Sequence, residues 1–251
     1  MRSLTVSLLT GLILSMGLCD SATTLAASDQ PAVSQPGTTE EVQLPIYTPP
    51  KKITPRARVG GGLRGTDGND PVIVALVPDH VGLTVKKNPV LNWFLSKPTT
   101  YQLIFTLIDL SSPTPIHEGP IPTPDHDGFQ SISLKDWGLM LEPDVQYRWY
   151  ISAIRDPASR GGDIVAGGII ERCEFSTCVI EMQPDLTCDL KGVRLNAAGG
   201  FWYDAMACLC ELIDSNPSDP VLRRQRASLL NQVGLSEVAK WDLRSIQAPV
   251  R

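Results

Sequence analysis

The sequence predicts an α+β protein, mainly β, in which an antiparallel β-sandwich is followed by a C-terminal helical hairpin and a short third helix. Between residues 72 and 170, apolar residues recur with a period of two in short runs separated by Pro, Gly and Asp. From about residue 196 the apolar spacing becomes that of amphipathic helices. We therefore expect a β-sandwich domain at 71–180. A disulfide-linked connection and a helical cap, packed on the sandwich, are expected at 181–246.

The first 26 residues have the pattern of a secretory signal peptide. Arg2 gives a basic start, and residues 4–18 form an uncharged core that is apolar or small. Thr24 and Ala26 are small residues two positions apart, as signal peptidase requires. Cleavage is therefore expected after Ala26 or the next residue, which places the protein in the periplasm or outside the cell.

Two alternative interpretations of this segment remain open. The first is a lipid on Cys19, although Leu18 stands where lipidation needs a small residue. The second is a retained membrane anchor, for which the apolar run is short, since a span needs about 20 residues.

The composition of the mature chain limits its partners. Removal of 26 residues takes away Arg2 and Asp20 together, so the net charge stays at −5. A mildly acidic chain without a long basic stretch is a poor binder of nucleic acid. No second apolar run reaches membrane length, so we expect no transmembrane segment in the mature chain.

Residues 27–70 are predicted to form a flexible tether. Six prolines between residues 31 and 55 interrupt any helix, and three glycines at 60–62 interrupt any strand. The basic residues of 51–64 could touch an acidic surface, although a solvated linker is the expected role. Residues 60–65 fit the letters of a dinucleotide-binding motif but lack its flanking strand and helix. We therefore expect a hinge here, and no cofactor.

Six apolar runs are predicted to be strands of a sandwich with seven strands in all. Tyr101–Ile108 shows the alternation well, with Tyr, Leu, Phe and Leu on one face. The complete set of runs is Val72–Val77, Val90–Leu95, Tyr101–Ile108, Phe129–Leu134, Val145–Ile154 and Ile164–Ile170.

The segment at 141–149, LEPDVQYRW, resembles the corner that leads into a late strand of fibronectin III and related immunoglobulin-like domains. In those domains Leu and Pro shape the turn, and the Tyr hydroxyl bonds to the loop backbone. The resemblance implies a sandwich of the immunoglobulin/fibronectin III type. It also implies that Leu141, Pro143 and Tyr147 are structural residues.

The helical part begins with an apolar stripe formed by Trp202, Ala205, Met206, Leu209, Leu212 and Ile213. A second helix is expected from Pro220, capped by Ser218 or Asp219, to Val233. A short third helix is expected from Ser236 to Trp241.

Two side-chain placements follow from the helical pattern. Phe201, Trp202 and Tyr203 are consecutive and cannot all face one way, so at least one is expected near the surface. The arginines of the second helix, Arg226 among them, are expected on a solvated face.

Five cysteines remain after cleavage, in a compartment where disulfides form. Cys208 and Cys210 lie on different sides of one helix, Cys210 toward the core and Cys208 more exposed. We expect one disulfide from Cys208 to a member of the trio Cys173, Cys178 and Cys188, and a second within that trio. An odd count leaves at least one thiol free or paired with another chain. Zinc binding is the alternative, although no Cys-x-x-Cys pair is present.

Several segments together resemble a bacterial family known as domain of unknown function 928. They are ALVP at 75–78, GLT at 82–84, FTLID at 105–109, YRWY at 147–150, GFWYDAMACL at 200–209 and LLNQVGL at 229–235. The resemblance covers roughly residues 70–243 and supports export and the fold, but it implies no activity. Many members of that family carry a cysteine near the position of Arg155, so a family disulfide through that position is not expected here.

The candidate metal ligands are His117, Asp125, His126 and Asp127, because imidazole and carboxylate groups can bind a metal together. The same Asp residues also form turns. Motifs of serine hydrolases and zinc proteases are not found, and we name no catalytic residue.

The expected function is that of a non-enzymatic cell-envelope binding or interaction module, with an unidentified envelope protein or glycan as partner. This expectation comes from the fold type, which often presents loops for recognition. The alternatives are an envelope hydrolase or metal-dependent enzyme that uses His117 and His126, and a structural or assembly helper.

Overall fold

The computed structural model of the chain describes residues 43–50, 57–60, 70–112, 114–174 and 187–247. These residues form a mixed α+β structure, mainly β, with four helices at the C-terminal end. The predicted signal peptide, most of the predicted tether and Cys178 lie outside the described residues.

Eight strands are present in the described part of the chain, one more than the sequence predicts. They are β1 Ile73–Ala75, β2 Gly82–Thr84, β3 Val90–Leu95, β4 Gln102–Asp109, β5 Pro115–Ile121, β6 Gly128–Ser133, β7 Gln146–Ile154 and β8 Ile164–Arg172. One sheet has the order β1-β3-β6, and the other has the order β2-β8-β7-β4-β5. All neighbours are antiparallel except β2 and β8.

β2 and β5 are the strands that the apolar pattern does not predict. β2 has three residues and pairs in parallel with β8 at the edge of the larger sheet. β5 carries Pro115 and Pro120 and is largely exposed, so it lacks the usual alternation. Proline is tolerated at a sheet edge, where one side of the strand makes no ladder hydrogen bonds.

The central strands contribute their buried apolar residues to one hydrophobic cluster. Burial of a large apolar side chain stabilises the fold by roughly 1.5–3 kcal/mol. The cluster includes Leu91, Trp93 and Leu95 of β3, Leu103, Phe105 and Leu107 of β4, and Tyr147, Trp149 and Ile151 of β7.

Two stretches of the predicted 27–70 tether, 43–50 and 57–60, pack against the rest of the structure. The Tyr47 ring meets the Trp202 ring edge-on, with the ring centres 4.9 Å apart. Its backbone N–H donates to Gln232 Oε1 at 2.8 Å. Val59 forms an antiparallel bridge with Gly167 of β8. In these two stretches, burial of an aromatic side chain and backbone pairing offset the entropy of ordering the chain.

The C-terminal region contains α1 Leu190–Ala198, α2 Trp202–Ser215, α3 Pro220–Gln232 and α4 Ser236–Gln247. The prediction of a hairpin plus a short third helix was therefore wrong in two respects. α1 is an additional helix, which begins where the Asp189 side chain accepts a hydrogen bond from the Gly192 N–H at 2.7 Å. α4 extends six residues beyond Trp241. No helix among the described residues has the length and apolar character needed to cross a membrane.

All three aromatic residues at the start of α2 are buried, so the expectation that one lies near the surface was wrong. The Trp202 indole N–H donates to the Leu76 carbonyl at 2.7 Å. Tyr203 Oη accepts from the Trp149 indole N–H at 2.9 Å and donates to the Ile169 carbonyl at 3.2 Å. Consecutive side chains do point in different directions, but the start of α2 is covered on each of those sides by the strands and by Tyr47.

Close packing of α2 on β2 requires a glycine. A Cβ atom at Gly82 would lie 2.6 Å from Cε2 of Tyr203, which is closer than such atoms approach. The absence of a side chain at this position lets the helix and the edge strand meet.

Arg226 of α3 is buried, which corrects the prediction of a solvated face. Its guanidinium group donates to both carboxylate oxygens of Asp242 on α4, at 2.7 and 2.9 Å. The same group lies over the Phe129 ring of β6, 3.3 Å from its centre. A buried arginine is tolerated because its charge is paired and its flat face stacks on an aromatic ring.

Candidate functional site

The residues expected to shape the corner before β7 lie where the loop meets the strand. Tyr147 Oη accepts a hydrogen bond from the Glu142 N–H at 3.0 Å. Leu141 is fully buried, and Pro143 forms a parallel bridge with Arg172 of β8. These contacts hold the loop against the sheet and leave the Tyr147 hydroxyl engaged with backbone.

A disulfide joins Cys188, which precedes α1, to Cys208 of α2. Cys208 is buried in this bond rather than exposed as the helical pattern suggested. Cys173 is also disulfide-bonded. Cys210 is a free, buried cysteine whose sulfur accepts from Arg226 Nη1 at 3.5 Å. Burial raises the pKa of its thiol and so disfavours the reactive thiolate.

The candidate metal ligands lie on β5 and in the connection that follows it. His117 packs against Trp137, with ring centres 4.8 Å apart, and against Phe105. His126 is exposed and its Nδ1 lies 2.8 Å from Asp125 Oδ1. Asp127 precedes β6. In the part of the chain that the structure describes, no three His, Cys, Asp or Glu residues are grouped as a metal site.

Asp204 is a buried carboxylate in the first turn of α2. It accepts from the Val85 N–H at 3.0 Å and from Thr84 Oγ1 at 3.2 Å. Burial raises the pKa of this carboxyl to about 6, against the opposing effect of these hydrogen bonds. Both acceptor atoms are used to join α2 to β2, so Asp204 has a structural role.

A cavity of about 470 Å³ lies beside β5 and β6, each of which is the last strand of its sheet. This volume falls within the range of roughly 300–1,000 Å³ that is usual for small-molecule sites. The residues that line it are Trp93, Ile121, Pro122, Pro124, His126, Gln130, Ser131, Ile132, Ser133, Asp136 and Trp137.

The cavity combines an apolar interior with polar groups nearer the surface. Trp93, Ile121 and Ile132 are each more than 90 % buried. The indole N–H of Trp93 has no hydrogen-bond partner among the described residues. That nitrogen is itself buried, and a buried donor without a partner costs about 1–3 kcal/mol.

Strand pairing brings the lining residues together. Trp93 lies directly opposite Gln130 in the antiparallel pair of β3 and β6. A 3-10 turn at Leu134–Trp137 follows β6 and carries Asp136 and Trp137 to the cavity. Buried Leu134 anchors this turn.

Among the predicted site residues, His126 lines the cavity, whereas His117, Asp125 and Asp127 are not part of its lining. Sequence reasoning missed Trp93, Asp136 and Trp137. A weak signal was available, since the segment after the β6 pattern places a Trp and an Asp beside Gly138, a common turn residue.

The model of a protein family described as Domain of Unknown Function (DUF928) matches residues 59–243. No curated protein matches the chain.

Two solved structures show distant similarity. One is astrotactin-2, described as a conserved vertebrate-specific and perforin-like membrane protein involved in neuronal development, at 13 % identity and a TM-score of 0.24. That match covers 75 % of this chain and 40 % of that one. The other is a multi-domain immunophilin from Arabidopsis thaliana, at 8 % identity and a TM-score of 0.18. That match covers 66 % of this chain and 98 % of that one. Similarities at this level carry no argument about fold or function.

Proposed function

Because the chain belongs to the family described as Domain of Unknown Function (DUF928), whose description names no activity, we propose its function from its own cavity. The protein is a non-enzymatic binding module of the cell envelope that works in the periplasm or outside the cell. The single observation that carries this function is the cavity beside β5 and β6, with its apolar interior and its polar rim. Its ligand is a component of the envelope.

The proposed scaffold is a sandwich of the immunoglobulin/fibronectin III type. Such domains place strands A, B and E in one sheet and strands C, F and G, with C′, in the other. The orders β1-β3-β6 and β8-β7-β4-β5 follow that scheme, with β2 added beside the last strand. The bond from the Glu142 N–H to Tyr147 Oη matches the tyrosine corner of these domains and supports the same assignment.

Export is part of the same proposal. The Cys188–Cys208 disulfide supports an oxidising compartment, since disulfides are rare in the cytosol. Residues 1–26 then act as the signal peptide, and the undescribed residues that follow act as a tether. The mass of the exported protein tests this point, because cleavage predicts an N-terminus at Ala27 or Ser28.

The binding function is tested with a substitution that blocks the entrance of the cavity. Ser131 is exposed on β6 and lines the cavity, so Ser131→Trp places a bulky ring at the entrance without disturbing the core. Ser159, an exposed serine in the connection between β7 and β8, gives the matched control Ser159→Trp. Co-sedimentation of each mature protein with the insoluble cell-envelope fraction measures retention, and thermal melting checks the fold.

We expect the wild type and Ser159→Trp to be retained equally. Ser131→Trp should bind at least about tenfold more weakly, because one well-placed contact is worth a factor of this order. Equal retention of all three proteins would show that the cavity is not the binding site. Release of soluble fragments from the envelope during incubation would instead point to a hydrolase.

A further inference from the structure

We propose that an extended peptide segment of a partner protein adds to the free edge of β6, antiparallel to it, as a fourth strand of the smaller sheet. The segment carries apolar side chains at alternate positions, which enter the cavity beside β5 and β6, and basic residues at its ends. This inference rests on the proposed function and specifies the ligand of the same site.

The first argument is the direction of the backbone hydrogen bonds of β6. The Leu134 N–H, directly after β6, donates to the Pro89 carbonyl, directly before β3, at 3.1 Å. Because the residues of an antiparallel strand bond alternately to its two sides, Gln130 and the other even-numbered residues of β6 bond toward β3. The bond from the Leu76 N–H to the Asn92 carbonyl at 3.0 Å gives the same alternation, since it directs Asn92 of β3 toward β1. The residues of β6 that direct their backbone groups away from β3 are Phe129, Ser131 and Ser133.

These outward backbone groups form an open strand edge. Among the described residues, β6 pairs with β3 alone. A row of N–H and carbonyl groups without strand partners is a template for pairing with another extended chain. Ser131, in the middle of the row, is exposed. The main chain of a peptide can satisfy these donors and acceptors alike, and the sheet to which it adds is antiparallel throughout.

The edge of β5, on the other side of the cavity, is less suited to strand addition. The Leu110 N–H donates to the Gln146 carbonyl at 3.0 Å, so the same alternation directs Ile104 of β4 toward β7. Its opposite residue in β5, Pro120, therefore faces outward and has no N–H to donate. The added strand is accordingly assigned to β6.

The second argument is the apolar space beside that edge. Ile132 of β6, Ile121 of β5 and Trp137 line the cavity, the two isoleucines buried and the tryptophan partly buried. Successive side chains of a strand point to opposite faces. Every second side chain of a peptide on this edge therefore enters the cavity, and the others share the exposed face of Ser131.

A peptide from another protein uses the edge and the cavity together. A second copy of this chain would present β6 itself, whose Gln130 and Ile132 already line their own cavity. Two copies paired edge to edge would thus leave both cavities unfilled. A glycan lacks the regular row of main-chain donors and acceptors that a strand edge recognises.

The charge around the edge favours basic residues at the ends of the peptide. Asp125 and Asp127 precede β6, Asp136 follows it, and all three are exposed. Lys135 is the only Lys or Arg in residues 122–137. Three carboxylates beside one ammonium group attract a cationic peptide end and disfavour an acidic one.

The experiment uses a synthetic peptide with blocked ends and the sequence Lys-Thr-Val-Thr-Val-Thr-Val-Lys. Main-chain bonds supply most of the affinity in strand addition, so this generic probe should bind. When the valines enter the cavity, the threonine amides face β6, because opposite residues of an antiparallel pair share a face. Isothermal titration calorimetry with the mature protein measures the affinity.

Three modified peptides test the bonding pattern and the charge. N-methylation of the threonine amides should weaken binding at least about tenfold, because it removes the hydrogen bonds to β6. N-methylation of the valine amides, which face away from β6, is the matched control and should change the affinity less than about threefold. Glutamates in place of the two lysines should weaken binding.

Amide hydrogen exchange of the ¹⁵N-labelled wild type locates the bound peptide without any variant. The peptide should slow exchange at Ser131 at least about tenfold and leave Glu118 on β5 unchanged. Ser131→Pro removes the outward N–H and should bind at least about tenfold more weakly, whereas Ser131→Ala keeps it and should bind as the wild type does. The methylated peptides keep the test intact if Ser131→Pro does not fold.

The outcomes separate this inference from the proposed function. No binding at a peptide concentration on the order of 1 mM, equal binding of the threonine-methylated peptide, or unchanged exchange at Ser131 overturns strand addition. Dimers of the protein alone that Ser131→Pro abolishes would identify a second copy as the occupant and overturn it too. If strand addition fails but the envelope fraction retains the wild type and not Ser131→Trp, the binding function stands with a different ligand. If both proteins are retained equally, both ideas fail.

Discussion

Buried polar side chains at the residue level include pairs that join elements of the fold and six atoms that have no hydrogen-bond partner among the described residues. Asp242 holds the Arg226 guanidinium through two short hydrogen bonds, and Asp204 holds the Val85 N–H and Thr84 hydroxyl. Trp93 lies in the same core but lines the cavity, and its N–H has no partner among the described residues. The paired groups therefore join elements of the fold to one another.

Asp204 gives a prediction about pH. Burial raises its pKa from 3.8 to about 6, so the folded protein holds this proton more tightly than the unfolded chain does. Stability from this group is therefore present below about pH 4 and is lost as the pH rises through about 6, with a loss of about 3 kcal/mol. Asp204→Asn keeps an oxygen acceptor for the Val85 N–H and removes the charge.

We expect Asp204→Asn to gain stability relative to the wild type as the pH rises from 4 to 7. Urea unfolding at several pH values measures this difference. The exposed Asp214 on the same helix provides the control Asp214→Asn, which should follow the wild-type curve. If the difference in unfolding free energy between Asp204→Asn and the wild type stays constant from pH 4 to pH 7, this account is contradicted.

At the level of elements, α2 connects the other parts of the described structure. Its first turn reaches β2 through Asp204 and the Leu76 carbonyl through Trp202. Its middle is joined to the segment before α1 by the Cys188–Cys208 disulfide. The fold of the C-terminal region therefore depends on how firmly α1 and α2 are held together.

Loss of this disulfide should destabilise the protein. The bond closes a loop with a sequence separation of 20 residues, for which the chain-entropy model gives about 3 kcal/mol. The double change Cys188→Ser and Cys208→Ser avoids a leftover thiol, and urea unfolding measures the loss. Cys210→Ser, which changes a buried cysteine outside any disulfide, is the matched control and should lose less. An unchanged unfolding midpoint in the double variant would show that the bond adds no stability.

For the whole molecule, local patterns predict the elements better than they predict the site. Alternation locates β4 and β7, because these strands bury every second residue over most of their length. β3 is found instead as a continuous run that is buried on both faces. Alternation misses β5, whose prolines and exposed positions obscure the period. It also misses α1, where Gly192 lies inside the helix and weakens the helical pattern.

The cavity is beyond such patterns because its lining comes from distant parts of the chain. Trp93 belongs to β3, Pro122 and His126 to the connection after β5, and Trp137 to the turn after β6. Only the pairing of β3 with β6 and the order of strands in each sheet bring these segments together. The sequence singles out His126 only as a candidate metal ligand. Its position beside the cavity follows from the pairing of β3 with β6, the strand that His126 precedes.

The central claim is that this cavity is the site at which an envelope ligand binds. Backbone and side-chain amide spectra of the ¹⁵N-labelled mature protein, recorded with and without solubilised envelope fragments, test it most directly. We predict that the shifted resonances cluster at Trp93, at 130–133 and at 136–137. Shifts confined to other surfaces, with these resonances unchanged at saturation, would contradict the claim.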